Sequence, residues 1–144
     1  MPDTRSWPTG RLLSTAARLL EQAWNEKLKE IGLNYAGLIA LDVLAASGPT
    51  TQSALAQIIR VQGQTIGKTI IRLESHGYVR REPNPTDRRS QVVSITDAGN
   101  TARKHARDLE HSILARAAVV DTEKLRTELK TIVLVLGSRD ESPA

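Results

Sequence analysis

Residues 51–99 constrain the fold more than any other segment, because two helical patterns, a basic hairpin pattern and a third helix start follow one another closely. Thr51 is a suitable N-cap for a helix, and the apolar residues after it share one helical face: Leu55, Ile58 and Ile59. After a turn at Arg60 and Val61, a second helix is predicted from about Gln62. Its buried stripe has spacings of four and three: Ile66, Ile70 and Leu73. Gly77 is predicted to end this helix in a left-handed conformation.

The exposed face of the second helix carries long or hydroxylated side chains that can donate to phosphates and base edges. These candidate DNA contacts are Gln62, Gln64, Thr65, Lys68, Thr69 and Arg72. Gly63 and Gly67 lower the helix propensity of the first turns by roughly 1 kcal/mol each relative to alanine.

Two strand patterns follow at residues 78–82 and 91–95, rich in β-branched and aromatic residues. The turn formers in PNPTDRRS between them predict a rigid, exposed loop that presents Arg88 and Arg89. An arginine at a hairpin tip has the charge and shape to enter a DNA minor groove. Asp87 is predicted to orient a neighbouring guanidinium. The chain is therefore predicted to place a helix in one groove and a hairpin beside it.

The excess positive charge lies in the same part of the chain. Residues 60–104 carry nine basic and four acidic side chains, a net charge of +5, whereas the rest of the chain carries −1. Such a cluster on its own is usually a solvated face. In combination with the order of elements, it indicates a surface for binding a polyanion.

The segment LAQIIRVQGQTIGKTIIRLESHGYVRREPNPTDRRSQVVSITDAG resembles the winged helix-turn-helix of the multiple-antibiotic-resistance regulator (MarR) family. The matching features are a Leu-Ala start, an Arg-Leu-Glu run into a glycine, a DxR wing tip and an Ile-Thr-x-x-Gly exit. The resemblance extends from about Leu38 to Gly99. It implies that Asp87 and Arg89 form the DxR pair, that Thr65 and Lys68 contact DNA from the recognition helix, and that Arg88 contacts a phosphate.

The expected fold is therefore mainly α with a small β-wing: a winged helix-turn-helix at residues 34–96, flanked by helical dimerisation regions at 1–33 and 97–144. Thr9 is expected to cap a helix to about Ile31, where Gly32 ends it. Three further helices are expected, from Asn34 to Ala46, from Thr96 to about Val119, and from Asp121 or Thr122 onward.

The terminal helices carry apolar stripes that one chain lacks the partners to cover, which predicts a homodimer. The alternative is a helical hairpin within one chain. A two-fold dimer is expected to bind a pseudo-palindrome with half-sites roughly 10 bp apart.

The family resemblance also implies a small aromatic effector in a crevice between the dimerisation helices and the winged helix-turn-helix of residues 34–96, which we call the reading unit. The candidate lining residues are Trp24, Tyr35, Ile39, His105 and Leu109. No cofactor is expected. No metal site is expected either, because the three histidines are scattered and the chain has no cysteine.

The predicted function is a homodimeric transcription regulator, in such families most often a ligand-responsive repressor. No enzyme motif is found: the chain has no glycine-rich phosphate loop, no GxSxG and no HExxH. The alternative is a winged helix that binds a protein and never touches DNA. No secretion signal or apolar run of about 20 residues is present, so the expected location is the cytoplasm.

Overall fold

The computed structural model describes residues 3–61, 66 and 68–138. Its helices are α1 (Thr9–Leu28), followed by a 3-10 turn (Lys29–Ile31), α2 (Tyr35–Ser47), α3 (Gln52–Val61), α4 (Thr69–Ser75), α5 (Asp97–Arg116) and α6 (Thr122–Gly137). Its strands are β1 (Thr50–Thr51), β2 (Val79–Asn84) and β3 (Asp87–Ile95). The predicted class, mainly α with a small β-wing, is confirmed. The predicted boundaries between a dimerisation and a DNA-binding region stay a prediction.

Helix α2 lies at the centre of the molecule. Its sequence, YAGLIALDVLAAS, is apolar on nearly all sides, as expected for a helix surrounded by other elements. Residues 36–41 and Leu44 are buried, and α2 packs against α1, α3, α4, α5 and β3. The helix begins as predicted, because the Asn34 side chain accepts a 2.8 Å hydrogen bond from the Gly37 amide.

Most of the predicted helix caps are confirmed. The side chains of Thr51, Thr96 and Asp121 accept hydrogen bonds from the amides of the third residue beyond each of them. Gly32 and Gly77 have φ values of 74° and 75°. Thr9 is an exception: Pro8 occupies the N-cap position without a side-chain hydrogen bond, and Thr9 is the first helical residue. The ring of Pro8 fixes its φ, and the residue is extended at the start of the helix. Because proline has no hydroxyl group, α1 begins without a side-chain cap.

The predicted boundary between the two reading-unit helices is wrong. No turn interrupts Arg60 and Val61, because α3 continues through Val61. The second helix does not run continuously from Gln62, since Ile66 is not helical and Lys68 is the N-cap of α4. Two glycines in this segment disfavour a helix, which agrees with the late start. The remaining residues of the junction lie outside the described part of the chain: Gln62, Gly63, Gln64, Thr65 and Gly67.

The wing is a three-stranded antiparallel sheet in the order β1-β3-β2. Val79 pairs with Ile95 and Glu82 with Val92, which fixes the register of the predicted hairpin. The first strand was not predicted. Thr50 and Thr51 pair with Val93 and Val92, and two residues are too few to show an alternating pattern.

The two C-terminal helices differ in how much of them the chain itself covers. Helix α5 ends at Arg116 rather than near Val119, because Ala118 adopts a left-handed conformation with φ 60°. It buries Ala102, Ala106 and Ile113. Helix α6 has no buried residue.

Among the described residues, no single helix is long and apolar enough to cross a membrane. The segments Thr9–Ile31 and Tyr35–Ser47 are long and apolar enough only when they are taken together, and they meet at a bend of 75°.

Candidate nucleic-acid interface

Helix α4 separates a buried face from an exposed polar face, as the sequence predicted. Ile70 and Leu73 are buried in the core, and Ile66 packs against it. Lys68 and Arg72 are exposed and Thr69 is half-buried, so these three predicted contacts lie on the accessible side of the helix. Gln62, Gln64 and Thr65 lie outside the described residues. Ile71, which the sequence assigned to neither face, is 57% exposed.

The C-terminal end of α4 is fixed by backbone hydrogen bonds around Gly77. The Gly77 amide donates to the Glu74 carbonyl and the Tyr78 amide donates to the Leu73 carbonyl, each at 2.9 Å. This pair of bonds is the Schellman arrangement, which requires a left-handed residue between them. His76 is the C-cap, and its ring stacks on Tyr78. The Tyr78 hydroxyl donates to the Ile31 carbonyl at 2.5 Å and so joins the base of the wing to the end of the first helical region.

An ion pair connects α4 directly to the wing. Arg81 on β2 donates from Nε to Glu74 Oε2 at 3.2 Å and from its terminal nitrogen to Oε1 at 2.9 Å. The hydrogen bonds from Arg81 lower the pKa of the Glu74 carboxyl from its usual 4.5. This pair was not predicted from the sequence, because seven residues and a change from helix to strand separate its two members.

The tip of the wing is tighter than the predicted loop. Only Pro85 and Thr86 form the turn, and Asp87 already belongs to β3. Opposite Pro83 and Asn84 the register shifts: Pro83 pairs with Gln91 but Asn84 pairs with Asp87. Residues 88–90 therefore have no partners on β2 and form a bulge, which places both arginines outside the regular ladder. Arg88 and Arg89 are exposed, as predicted, although they lie beside the turn rather than in it.

Asn84 stabilises this irregular tip through both ends of its amide. Its nitrogen donates to Ser90 Oγ at 2.9 Å, and its oxygen accepts from the Thr86 amide at 3.1 Å and hydroxyl at 2.9 Å. The amide thus links the turn to the far end of the bulge. The arginines are consequently presented by a constrained backbone, and an ordered backbone loses less entropy on docking.

Asp87 acts on Arg89 mainly through the backbone. Its Oδ1 accepts a 3.0 Å hydrogen bond from the Arg89 amide, whereas the same oxygen is 3.8 Å from Arg89 Nε. The side chain of Arg89 is 96% exposed, so this contact leaves the guanidinium free to move. The role of Asp87 as an orienter of the guanidinium stays a prediction, and the structure adds a role in shaping the bulge.

A separate cleft of about 310 Å³ lies between α1, α2 and α5. Three of the predicted effector residues line it, Trp24, Tyr35 and Ile39, and the rings of Trp24 and Tyr35 stack with centroids 5.1 Å apart. Leu109 is half-buried and packs against the core instead. His105 is exposed on α5 and does not line this cleft, because it lies about 140° around the helix from Glu110, which does line it.

The charged groups of the cleft are acidic. Asp42 and Glu110 line it, and burial, followed by the negative charges of Glu110, Glu21 and Asp42, raises the pKa of the Tyr35 hydroxyl. Burial also raises the pKa of Asp42, although Arg103 approaches it to 3.8 Å and opposes the shift. Within the described ranges, no group of three or more potential metal ligands is found.

Comparison with known proteins decides the family. A family model described as the MarR family matches residues 31–90. An uncharacterized HTH-type transcriptional regulator of Mycobacterium leprae is 30% identical over 132 residues, which span 91% of this chain and 92% of that protein. The chain belongs to the MarR family.

Solved structures of similar proteins share the fold. The crystal structure of apo MarR from Escherichia coli has a TM-score of 0.70 and 25% identity and covers 88% of this chain and 96% of that chain. Reduced AbfR bound to DNA has a TM-score of 0.70 and 23% identity and covers 88% of this chain and 90% of that chain. Members of the MarR family are DNA-binding transcription regulators rather than enzymes, which confirms the predicted class.

Proposed function

We propose that this MarR-family protein is a homodimeric, ligand-responsive repressor that binds a pseudo-palindromic operator. The observation that carries the dimer is the uncovered apolar surface of α6. None of its residues is buried, and exposed large side chains include Ile132 at 39%, Val133 at 68% and Leu136 at 56%. Monomeric proteins rarely expose contiguous apolar surface of this kind.

Two apolar clefts extend this surface toward the N-terminal helix. They have volumes of about 570 and 400 Å³, and both involve Leu20 of α1 and Leu125 of α6. A second copy of the chain is the occupant we propose, because a two-fold axis there would bury the same stripes on both subunits. The exposure of α6 favours this arrangement over a helical hairpin within one chain.

On DNA, we propose that α4 of each subunit enters a major groove while the bulged arginines of its wing reach the adjacent minor groove. Lys68, Thr69, Arg72, Arg88 and Arg89 would make these contacts, with Gln62, Gln64 and Thr65 as further candidates. The structure of AbfR bound to DNA, which shares the fold, supports this mode of binding by analogy.

A mobility-shift titration with DNA selected by the purified protein from a random pool tests the DNA contacts. We expect Arg89→Ala to cost about 1–3 kcal/mol of binding free energy, and Lys68→Ala to reduce the salt dependence of binding by about one phosphate contact. Binding that is independent of salt would contradict the proposal. The alternative interaction module requires that Arg89→Ala leave DNA affinity unchanged while a protein partner is lost from a pull-down.

We further propose that a small aromatic effector binds the cleft lined by Trp24, Tyr35 and Ile39. This position would let a ligand change the angle between α2, in the reading unit, and the terminal helices α1 and α5. The stacked rings offer aromatic surface, and the carboxylates of Asp42 and Glu110 favour neutral or cationic aromatics over anionic ones.

Tryptophan fluorescence tests the effector site. The chain has two tryptophans, Trp7 and Trp24, so Trp7→Phe leaves Trp24 as the only reporter. We expect saturable quenching by benzyltrimethylammonium and weaker quenching by benzoate. Stronger quenching by benzoate, or none by either probe, would contradict the proposed cleft chemistry.

As a DNA-binding regulator, the protein is proposed to act in the cytoplasm.

A further inference from the structure

We infer that Glu74 and Arg81 are positioning residues, which hold recognition helix α4 and the wing at a fixed distance so that both dock on DNA as one body. The inference goes beyond the DNA contacts proposed above, since neither residue is proposed to touch DNA. It rests on the proposed docking mode, in which α4 and the wing engage neighbouring grooves.

The core supports only the base of the wing. On the face of β2 that points to the body, Val79 is buried, Arg81 is half-buried and Pro83 is exposed. Successive residues on one strand face lie roughly 7 Å apart, so core packing ends within one such step of Val79. Beyond that point, Arg81 is where the strand contacts the helix.

The contact between Arg81 and Glu74 has a restrictive geometry. A guanidinium joined to a carboxylate by two hydrogen bonds is restricted in both distance and orientation, unlike a single lysine contact. The two bonds, at 2.9 and 3.2 Å, connect the last turn of α4 to the third residue of β2. The backbone bonds at Gly77 and Tyr78 fix the junction between these elements, so the ion pair closes a second link across it.

The Glu74–Arg81 pair contributes more to the relative position of α4 and the wing than to the stability of the fold. The side chains of Arg81 and Glu74 are 26% and 39% exposed, and ion pairs near the surface add little to folding free energy. Arg89 and Lys68, by contrast, are carried on the two elements that the pair joins. If the angle between those elements changed, one of these two side chains would be displaced from the DNA when the other is bound.

The experiment is a double-mutant cycle between Glu74→Gln and Arg89→Ala, with affinities measured on DNA selected by the wild-type protein. We expect Glu74→Gln to weaken binding about two- to fivefold with an almost unchanged melting temperature. The loss caused by Arg89→Ala should be smaller in the Glu74→Gln background, because an unlinked wing gains less from its arginine. Glu82→Gln is the matched control, since it removes the same charge from an exposed position on β2.

Charge reversal provides a further control. The double variant Glu74→Arg with Arg81→Glu should bind better than either single variant, because it rebuilds the link with the charges exchanged. Additive effects of Glu74→Gln and Arg89→Ala, with affinity in Glu74→Gln equal to that of the wild type, would overturn the inference.

Hydrogen exchange of the free protein gives a readout that does not depend on DNA. Glu74→Gln should accelerate exchange of β2 and β3 amides beyond Arg81 and leave those of α5 unchanged. Unchanged exchange in the wing would overturn the inference even if the wild-type protein bound no DNA, whereas absent wild-type binding alone would contradict only the proposed function.

Discussion

Gly99 occupies a position in the first turn of α5 that has no room for a side chain. A Cβ built there would lie 2.1 Å from the Tyr78 carbonyl oxygen and 2.8 Å from Ile95 Cγ1. The close approach lets α5 pack directly on the base of the wing, next to the Thr96 cap. The family pattern Ile-Thr-x-x-Gly, noted in the sequence, thus has a steric cause.

We predict that Gly99→Ala lowers the free energy of unfolding by at least about 1–3 kcal/mol, because backbone must move to admit the methyl group. Urea denaturation measures the change. Gly10→Ala is the control, since nothing lies within 4 Å of its Cβ position and alanine favours the helix there. Equal stability of the two variants would contradict the steric explanation.

Glu74 is predicted to make stability depend on pH in the acid range. Because the hydrogen bonds from Arg81 hold its folded-state pKa below the usual 4.5, the unfolded chain binds a proton more readily. The contribution of this carboxylate is therefore complete above the unfolded pKa and is lost as the pH falls through the folded one.

The measurement compares the wild-type protein with Glu74→Gln in urea at about pH 7 and about pH 3.5. The stability advantage of the wild type should be small at the higher pH, as for other ion pairs near the surface, and should shrink further at the lower one. An advantage that stays constant or grows on acidification would show that Arg81 does not hold the carboxylate in its charged form.

At the scale of elements, the helix ends could be predicted because their determinants are local. Asn34, Thr51 and Thr96 each cap a helix through a side chain only three residues away from the amide it binds. Strand β1 could not be predicted, because its two residues are extended by pairing with β3 and not by a pattern of their own.

The candidate site also contains features that local sequence predicts and features that depend on contacts between elements. The exposure of Lys68, Arg72 and the wing arginines followed from helical and turn patterns. The bulge that carries Arg88 and Arg89 and the Glu74–Arg81 pair did not, since both depend on which residues of two elements come together. His105 was predicted at the cleft from the family resemblance, and it does not line the cleft.

Helix α6 gives a prediction at the scale of elements. Leu129→Glu should convert the proposed dimer to monomers, because the new charge would be buried between subunits. The monomers should keep the rest of the fold, since α6 buries no residue against its own chain. Thr131→Glu introduces the same charge about 200° away around the helix and should leave the dimer intact.

Size-exclusion chromatography with light scattering measures the mass of each variant, and circular dichroism measures helix content. A wild-type protein that is monomeric at micromolar concentration, or a Leu129→Glu variant that remains dimeric, would count against the proposed interface.

At the scale of the whole molecule, the proposed dimer requires two reading units to face one duplex in a fixed arrangement. The wing of one protomer has exposed arginines beside a recognition helix only seven residues long in its described part, which is a small contact surface. Duplication doubles the number of phosphate and base contacts and imposes a spacing between half-sites. The proposed effector cleft lies between the reading unit and the terminal helices, so a ligand there would act on that spacing.

The central claim is tested most directly by the stoichiometry of the protein on its selected DNA, measured by native mass spectrometry and combined with footprinting. We predict two protomers per duplex and two protected half-sites whose centres lie roughly 10 bp apart. A single protomer that binds with full affinity and protects one half-site would contradict the account.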